Sequence, residues 1–287
     1  MYYGSIEAGG TKFVCAIGDE AFNVVKRVSF PTTTPEETLA QVFTFFDAYT
    51  LTAIGIGSFG PIDVNTASKT YGYITTTPKP NWGNFDFLGT VKARYDIPVG
   101  FTTDVNAAAL GEQAKGAARG LNSCLYLTVG TGIGGGAVVG GKLLSGHSHP
   151  EMGHILMRPH PEDPFAGVCP FHQNCLEGLA SGPAIEARFG VPATELPADH
   201  DAWKFESHYL AQAVMSYALI LSPEKIILGG GVMNQAHLLP LIQAELAHLM
   251  ADYVELPDLK DYLVAPALGA NAATIGCFLL AKTEASL

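Results

Sequence analysis

The chain has 287 residues, of which 15% are charged, and 16 Lys and Arg against 27 Asp and Glu leave a formal net charge of −11. Such a chain attracts neither nucleic acid nor an anionic membrane surface at long range, so any anionic ligand must be bound by local groups. A hydrophobic content of 48% excludes a disordered chain, and no apolar run approaches the roughly 20 residues that a membrane helix needs.

The N-terminal residues and the cysteines bear on the cellular compartment. Residues 1–7 carry neither the basic nor the apolar segment of a secretory signal, so the sequence predicts a cytoplasmic protein. The cysteines number five, which is odd, and Cys15, Cys124 and Cys277 lie in apolar surroundings that are typical of buried thiols. A framework of disulfides is therefore not predicted.

Strand patterns dominate the first third of the chain. The predicted elements are strands at residues 2–8, 13–18 and 21–30, a helix from Pro35, and strands at residues 53–58 and 98–103. The first three strands are separated by short turns and predict a β-meander. Residues 65–89 are rich in Thr, Pro, Gly, Asn and aromatic residues without a helical period, and predict a long functional loop with short strands.

Helical patterns are more frequent in the rest of the chain. The predicted elements are a helix that follows Asp104, strands at residues 124–129 and 137–139, helices at about residues 178–189, 203–221 and 236–250, and a strand at residues 225–228. The fold class predicted from this alternation is α/β with mixed sheets.

A strand, glycine turn, strand pattern occurs twice. The first turn contains Gly9, Gly10, Thr11 and Lys12, and the second, at residues 130–136, is richer still in glycine. The duplication suggests two related halves with a boundary near residues 117–120. Because glycines lack Cβ atoms, the backbone N–H groups and the hydroxyls of Thr11 and Thr131 can approach phosphate. A third glycine run at residues 229–231 favours this interpretation over two ordinary hairpins.

The second turn also fits the dinucleotide fingerprint G-x-G-x-x-G through Gly130, Gly132 and Gly135. That fingerprint must open a helix, whose N-terminus receives the pyrophosphate. Residues 137–139 instead predict a strand. The sequence therefore argues against a nicotinamide dehydrogenase.

Two cysteines and a histidine lie within seven residues, with the regular spacing of Cys169, His172 and Cys175. A structural zinc site needs four N or S ligands, so the fourth must come from elsewhere in the chain. His154 is the candidate, with His147, His149 and His160 as rivals. A Cys169–Cys175 disulfide and a chance neighbourhood of buried thiols are the alternatives.

Several acidic residues are candidates for chemistry. Asp104 stands at a strand end immediately before a helix, where Asp is a preferred N-cap, but a carboxylate there could also accept a proton from a substrate hydroxyl. Glu151, His154 and Glu177 are further polar candidates. Taken singly, each is more typical of a surface or capping residue.

Together these motifs resemble the ROK family of sugar kinases, in matching order along the whole chain. The match rests on residues 7–12, the strand end at Asp104, residues 127–136, residues 151–154 and the cluster at residues 169–175. The resemblance implies the actin-like ATPase (RNase-H-like) fold, with two domains of mixed sheets around an interdomain cleft. We expect a small domain of residues 1–117, completed by a C-terminal helix at about residues 270–287. A large domain of residues 118–269 would carry the zinc motif and the adenosine-side residues.

The resemblance also implies roles for individual residues. Asp104 would be the general base that takes a proton from the sugar hydroxyl, and Glu7 would lie near Mg²⁺ and the phosphates of ATP. The implied sets are Gly9, Gly10, Thr11, Lys12, Gly130, Thr131 and Gly132 for phosphate; Pro183, Gly230, Gly231 and Asn234 for adenosine; Asn81, Thr103, Asp104, Glu151, His154 and Glu177 for the sugar; and His154, Cys169, His172 and Cys175 for structural Zn²⁺.

Within the family the chain is most similar to bacterial fructokinases, which implies D-fructose and ATP as substrates. Glu7 stands where the glucokinase branch usually has Asp, and Thr103 where that branch usually has Asn. Another hexose, such as mannose, glucose or an N-acetyl amino sugar, and a catalytically silent sugar-binding regulator are the alternatives. A DNA-binding regulator would need a domain ahead of Glu7. The resemblance implies a homodimer, for which the aromatic segments at residues 43–49 and 71–87 offer contact surface.

Overall fold

The computed structural model describes every residue from Met1 to Leu287. The chain divides into two compact units. Unit 1 comprises Met1–Gly120, Leu143–Pro150 and Ala267–Leu287, and unit 2 comprises Leu121–Lys142 and Glu151–Pro266. No helix combines the length and hydropathy that a membrane span would require.

Strands and helices alternate along both units. Up to residue 120 the elements are β1 (Tyr3–Ala8), β2 (Lys12–Gly18), β3 (Val24–Pro31), α1 (Pro35–Phe46), β4 (Ala53–Ser58), β5 (Tyr73–Ile74), β6 (Phe85–Asp86), α2 (Phe87–Arg94), β7 (Val99–Thr103) and α3 (Asp104–Lys115). From residue 121 they are β8 (Cys124–Val129), β9 (Ile133–Val139), β10 (Lys142–Leu143), α4 (Leu176–Ala180), α5 (Gly182–Phe189), α6 (Ala202–Leu221), β11 (Lys225–Gly229), α7 (Leu238–Met250), α8 (Leu259–Tyr262), β12 (Leu263–Val264) and α9 (Ala272–Glu284).

Each unit has one five-stranded sheet, and the two sheets have corresponding strand orders. In unit 1 the order is β3-β2-β1-β4-β7, and in unit 2 it is β10-β9-β8-β11-β12. The first strand of each unit, β1 or β8, pairs antiparallel with the next strand and parallel with β4 or β11. The predicted fold class of α/β with mixed sheets is confirmed, and the two glycine turns occupy the same place in the two sheets.

Parallel pairing brings three strand ends of unit 1 to one edge of its sheet. Ala8 at the end of β1 pairs with Ser58 at the end of β4, and Ser58 pairs with Thr103 at the end of β7. In α/β sheets, ligands bind outside the carboxyl ends of the parallel strands. This edge therefore presents Glu7, the first glycine turn and Asp104 on the side where a ligand is expected.

Helices α3 and α9 approach each other closely because small residues line their contact. A Cβ atom on Gly276 of α9 would lie 1.7 Å from the carbonyl oxygen of Ala107, and one on Gly111 of α3 would lie 2.0 Å from that of Ala272. Real Cβ atoms essentially never come under 3.0 Å. The close packing of α9 therefore fixes the helix that carries Asp104.

A buried carboxylate ties α3 to the chain segment that leads into α9. Glu112 is 0% exposed and accepts hydrogen bonds from the backbone N–H groups of Ala117, Ala267 and Leu268, at 2.7, 3.1 and 2.9 Å. A buried carboxylate is costly unless its oxygens are hydrogen-bonded, and these three donors meet that requirement.

The aromatic segments at residues 43–49 and 71–87 do not form the exposed contact surface that was predicted for them. Phe46, Trp82 and Phe87 are each 0% exposed, and partly buried rings pack against the same core, namely those of Phe43, Phe45, Tyr49, Tyr71 and Phe85. The indole N–H of Trp82 donates to the carbonyl oxygen of Thr33 at 2.8 Å. Burial of these rings is strongly favourable, so they anchor the loop from inside rather than offering it to a partner.

The helix predicted at residues 178–189 is two helices, α4 and α5, and this prediction was wrong. Ser181 separates them, and its hydroxyl accepts a hydrogen bond from the N–H of Ala184 at 3.3 Å as the N-cap of α5. Pro183 lies in the first turn of α5, where its missing N–H costs nothing. The Ser-Gly-Pro run is thus a helix start. Helix α2, capped by Asp86, begins inside the predicted loop of residues 65–89.

Candidate active site

The first glycine turn of unit 1 is held by backbone and side-chain hydrogen bonds. The N–H of Gly9 donates to the carbonyl oxygen of Lys12 at 3.0 Å, and the hydroxyl of Thr32 donates to the carbonyl oxygen of Gly9 at 2.7 Å. A Cβ atom on Gly9 would lie 2.8 Å from that Lys12 oxygen, so this position requires glycine. Gly10 and Thr11 are exposed at the tip of the turn, where a ligand can reach them.

Glu7 lies near the end of β1, directly before this turn. The hydroxyl of Thr274 donates to its Oε2 at 3.4 Å. Burial raises the pKa of the Glu7 carboxyl, while Arg27 and Lys12 nearby oppose that effect. A carboxylate in this setting gains from a cation, and Mg²⁺ is commonly held by one or two carboxylates together with substrate phosphates. Glu7 therefore fits the role of a magnesium-side residue.

Asp104 is the first residue of α3 and not its N-cap. The cap is Thr103, whose Oγ1 accepts a hydrogen bond from the N–H of Asn106 at 3.1 Å. Asp104 Oδ1 accepts from the N–H of Val105 at 2.8 Å. The interpretation of Asp104 as a helix cap is therefore wrong, because the neighbouring threonine performs that function.

Glu7 and Asp104 lie at the same edge of one sheet. Glu7 pairs with Gly57 of β4, and Gly57 pairs with Thr102 of β7, two residues before Asp104. Adjacent strands are about 4.8 Å apart, so β1 and β7 are separated by roughly 10 Å. Glu7 and Asp104 therefore lie two strands apart on one sheet edge, with β4 between them.

Asn81 is exposed and lies directly before the buried Trp82. Its φ angle is +70°, in the left-handed region that Asn tolerates better than most residues. The anchored indole fixes the backbone of this loop, and so it fixes the position from which the Asn81 side chain extends.

The second glycine turn, at Gly130, Thr131 and Gly132, is attached to α5. The N–H of Gly130 donates to the carbonyl oxygen of Gly132 at 2.9 Å, and the N–H of Gly182 donates to the carbonyl oxygen of Gly130 at 2.8 Å. Strand β9 follows the turn at once, as predicted, so the dinucleotide interpretation is excluded. Thr131 is exposed.

The third glycine run lies beside the second turn. Gly230 has φ +95°, and a Cβ atom there would lie 2.3 Å from the carbonyl oxygen of Val129, so only glycine fits. A Cβ atom on Gly130 would lie 3.8 Å from the nitrogen of Gly231. Within unit 2 the residues assigned to phosphate and to adenosine are thus neighbours, with Pro183 exposed on α5 and Asn234 in the 3-10 turn Val232–Asn234.

The assigned sugar residues of unit 2 surround the 3-10 turn Met152–His154. Glu151 is exposed immediately before this turn, and its carbonyl oxygen accepts from the N–H of His154 at 3.1 Å. His154 Nε2 lies 3.9 Å from Oε1 of Glu177, which is on α4. The side chains of His154 and Glu177 are therefore close together, and Glu151 directly precedes the turn that carries His154.

His154, Cys169, His172 and Cys175 form one cluster, with their ligand atoms all within 4.8 Å of one another. His154 Nδ1 lies 3.8 Å from Sγ of Cys169 and 3.5 Å from Sγ of Cys175, and His172 Nδ1 lies 3.7 Å from Sγ of Cys169. Metal–ligand bonds of 2.0–2.3 Å at tetrahedral angles place ligand atoms roughly 3.3–3.8 Å apart. The donor set and its spacing therefore fit a tetrahedral Zn²⁺ site.

The alternatives for this cluster are resolved by the structure. All five cysteines are free, so no Cys169–Cys175 disulfide forms. The fourth member is His154, and the rivals His147, His149 and His160 take no part in the cluster. Burial raises the pKa of the Cys175 thiol to about 11. A bound cation reverses this effect, because it stabilises the thiolate.

Several residues that position this site were not predicted from the sequence. Thr274 donates to Glu7, Trp82 anchors the Asn81 loop, and Ser181 starts the helix to which the second turn is attached. Only Ser181 carried a local signal, the Ser-Gly-Pro helix start. The contact between Thr274 and Glu7 joins residues 267 positions apart, which no local pattern could reveal.

Residues 3–284 match the model of the ROK family. A fructokinase of Lactococcus lactis subsp. cremoris is 49% identical, with 98% of this chain and 97% of the relative covered. A fructokinase of Streptococcus mutans is 48% identical, with 99% and 98% covered. The crystal structure of a ROK hexokinase from Thermus thermophilus is 28% identical, with a TM-score of 0.83 over 100% of this chain and 99% of that chain. This likeness confirms the actin-like ATPase fold class.

Proposed function

The chain belongs to the ROK family and, within that family, is a fructokinase; we propose that it transfers the γ-phosphate of ATP to the 6-hydroxyl of D-fructose, with Asp104 as the general base. The main observation in support of this mechanism is the position of Asp104 in the fold. Its carboxylate stands at the carboxyl end of β7, on the same sheet edge as Glu7, while Thr103 caps the helix.

In phosphoryl transfer the protein mainly aligns the sugar hydroxyl with the γ-phosphate and neutralises the charge on the phosphoryl oxygens, and it contributes little covalent chemistry. The turns at Gly9–Lys12 and Gly130–Gly132 offer backbone N–H groups and the hydroxyls of Thr11 and Thr131 to the phosphates. Pro183, Gly230, Gly231 and Asn234 would contact the adenosine. Asp104 accepts the proton of the attacking hydroxyl, so that the oxygen becomes more nucleophilic as it approaches phosphorus.

Two metals belong to this proposal. Mg²⁺ supplies neutralisation of the charge on the transferring phosphoryl group when it is bound with ATP, and Glu7 is the residue that would hold it. Zn²⁺ would be held by His154, Cys169, His172 and Cys175 as a closed structural site, since four protein ligands leave no position for substrate. The proposed role of zinc is therefore to order residues 151–177, which include the sugar-contacting side chains.

The sugar side comprises Asn81, Thr103, Glu151, His154 and Glu177. Thr103 uses one lone pair of its hydroxyl to cap α3, so the hydroxyl proton can still be donated to a sugar oxygen. Asn at this position would offer both a donor and an acceptor to a pyranose hydroxyl. An unpaired hydroxyl in a closed site costs about 1–3 kcal/mol, which disfavours glucose here.

A comparison of kcat/KM across fructose, mannose, glucose and N-acetylmannosamine, each with MgATP, tests this specificity. We expect fructose to lead by at least about tenfold, because each missed polar contact is worth roughly that factor. A tenfold lead for glucose or an amino sugar would leave the kinase mechanism intact and refute the choice of fructose. Sugar binding without turnover of any of the four would instead indicate a catalytically silent sugar-binding regulator.

We further propose a homodimer, a state that the family resemblance implies. Light scattering at micromolar concentration should give a mass of twice 30.3 kDa. Large exposed apolar side chains such as Phe171 and Ile220, 78% and 77% exposed, are available for contact. A mass equal to one chain at that concentration would contradict this proposal.

The proposed compartment is the cytoplasm. The reaction consumes ATP, and the proposed zinc cluster requires both of its cysteines as reduced thiolates.

A further inference from the structure

His154 faces two different groups with its two ring nitrogens. Nδ1 points to the cluster, at 3.5 Å from Sγ of Cys175 and 3.8 Å from Sγ of Cys169, while Nε2 faces the Glu177 carboxylate at 3.9 Å. The two nitrogens of an imidazole are distinct, and a partner on one fixes the tautomer that the other presents. A carboxylate beside the nitrogen that does not face the metal is the usual arrangement for a metal-ligating histidine.

Glu177 also faces two groups, one with each carboxylate oxygen. Oε1 is the oxygen near His154, and Oε2 accepts a hydrogen bond from the backbone N–H of Ile133 at 2.9 Å. Ile133 directly follows the turn of Gly130, Thr131 and Gly132. A Cβ atom on Gly132 would lie 2.8 Å from Oε2, so the carboxylate is packed against the turn itself.

The short helix α4 is a second link between the metal cluster and Glu177. Its N-cap is Cys175, whose Sγ accepts from the N–H of Gly178 at 3.4 Å, and Glu177 is its second residue. A movement of the cluster sulfur therefore moves the helix that carries Glu177. All of these residues lie in unit 2, so the connection is built within one compact body.

We propose that Glu177 is a positioning residue that couples the metal cluster to the phosphate turn, so that metal and nucleotide each strengthen the binding of the other. This inference rests on the proposed function, because it takes the Gly130–Gly132 turn as the phosphate site. The metal orients His154, His154 orients the Glu177 carboxylate, and the carboxylate holds the turn through the Ile133 N–H. Thermodynamic linkage makes the effect reciprocal.

The test uses Co²⁺ in place of Zn²⁺, because tetrahedral Co²⁺ with thiolate ligands has visible absorption bands that report on its ligands. The full chain loaded with Co²⁺ is titrated with Mg²⁺ and a non-hydrolysable ATP analogue in the absence of sugar. We expect the Co²⁺ spectrum to shift on saturation with the analogue. We also expect the analogue to raise Zn²⁺ affinity, measured by chelator competition, about fivefold or more.

Glu177→Gln is the decisive variant, and Glu195→Gln, an exposed acid elsewhere in unit 2, is the matched control. The glutamine keeps the size of the side chain but removes the negative charge that faces the His154 ring and accepts the hydrogen bond from the Ile133 N–H. We expect Glu177→Gln to bind Zn²⁺ and the analogue while losing the spectral shift and most of the mutual enhancement. Glu195→Gln should retain both.

The outcomes separate this inference from the proposed function. The metal and the ATP analogue could also strengthen each other's binding simply because each stabilises the folded chain. In that case the mutual enhancement would persist in Glu177→Gln, and this result would overturn the inference. A normal analogue affinity without any spectral shift in the unmodified chain would overturn it as well. Failure of the unmodified chain to bind the analogue at all would refute the proposed nucleotide site instead.

Discussion

Replacing Asp104 by Asn should lower kcat about 100-fold or more, while KM for fructose and for MgATP changes little. The general base acts in the transition state, and such groups typically contribute 10²–10⁴ in rate. The amide keeps the shape of the side chain and can still accept from the N–H of Val105. Steady-state kinetics of the variant with fructose and MgATP measure this effect.

The structure makes the result interpretable, because Thr103 and not Asp104 caps α3. As an acid in the first turn, Asp104 favours the helix by about 0.3–1 kcal/mol, and Asn in its place can still accept the hydrogen bond from the Val105 N–H. The melting temperature of the variant should therefore stay close to that of the unmodified chain. Asp96→Asn, an exposed acid on the same unit, is the matched control and should leave kcat unchanged. Near-normal turnover of Asp104→Asn would refute its role as the base.

Removal of zinc should destabilise the protein strongly. A ligand that binds only the folded state at 1,000 times its Kd stabilises that state by about 4.1 kcal/mol. Residues 151–177 have little regular structure of their own, so we expect a bound metal to contribute strongly to their order. We expect one Zn²⁺ per chain by elemental analysis, and a large fall in melting temperature after treatment with a strong chelator.

Cys175→Ser isolates the metal contribution, because Cys175 is both a cluster member and the N-cap of α4. Serine is a preferred N-cap, so this variant retains the helix cap and loses the thiolate. Its melting temperature should match that of the chelator-treated chain and should not fall further when chelator is added. Absence of zinc in the purified protein, or unchanged stability and activity in Cys175→Ser, would contradict the zinc proposal. Mg²⁺, in contrast, should be needed for turnover and should not copurify with the protein.

The elements that the sequence predicted well carry their signal locally. Helix α1 is an example, since Thr34 caps it, Pro35 opens it, and Leu39, Val42 and Phe46 bury one face. The strands around the glycine turns were found for a similar reason. Close approaches of neighbouring backbone require glycine at Gly9 in the first turn and at Gly230 in the third glycine run, and such glycines can be recognised in the sequence.

The errors arose where tertiary contacts decide the outcome. The composition of residues 71–87 predicted an exposed loop that contains Trp82 and Phe87. The two rings are instead buried in the core of unit 1, against strands and helices that are distant in the sequence. The cap of α3 was assigned to Asp104 because Asp is the stronger N-cap residue, but the hydrogen bond from the Asn106 N–H shows that the neighbouring Thr103 is the cap. The choice of His154 over its three rivals is confirmed, but it too is decided by the fold, because spacing alone does not exclude the other histidines.

The hydrogen bonds of the buried Glu112 carboxylate affect the order in which the two units can fold during synthesis on the ribosome. Two of its three N–H donors, those of Ala267 and Leu268, are synthesised about 155 residues after it. The same late stretch supplies α9, whose Gly276 packs on α3. Unit 2 lies almost wholly between these stretches and can complete its core first, because domains fold as units during synthesis. Until residues 267–287 are synthesised, unit 1 lacks α9 and keeps an apolar face exposed. We therefore expect chaperones to bind nascent unit 1 until these residues emerge from the ribosome.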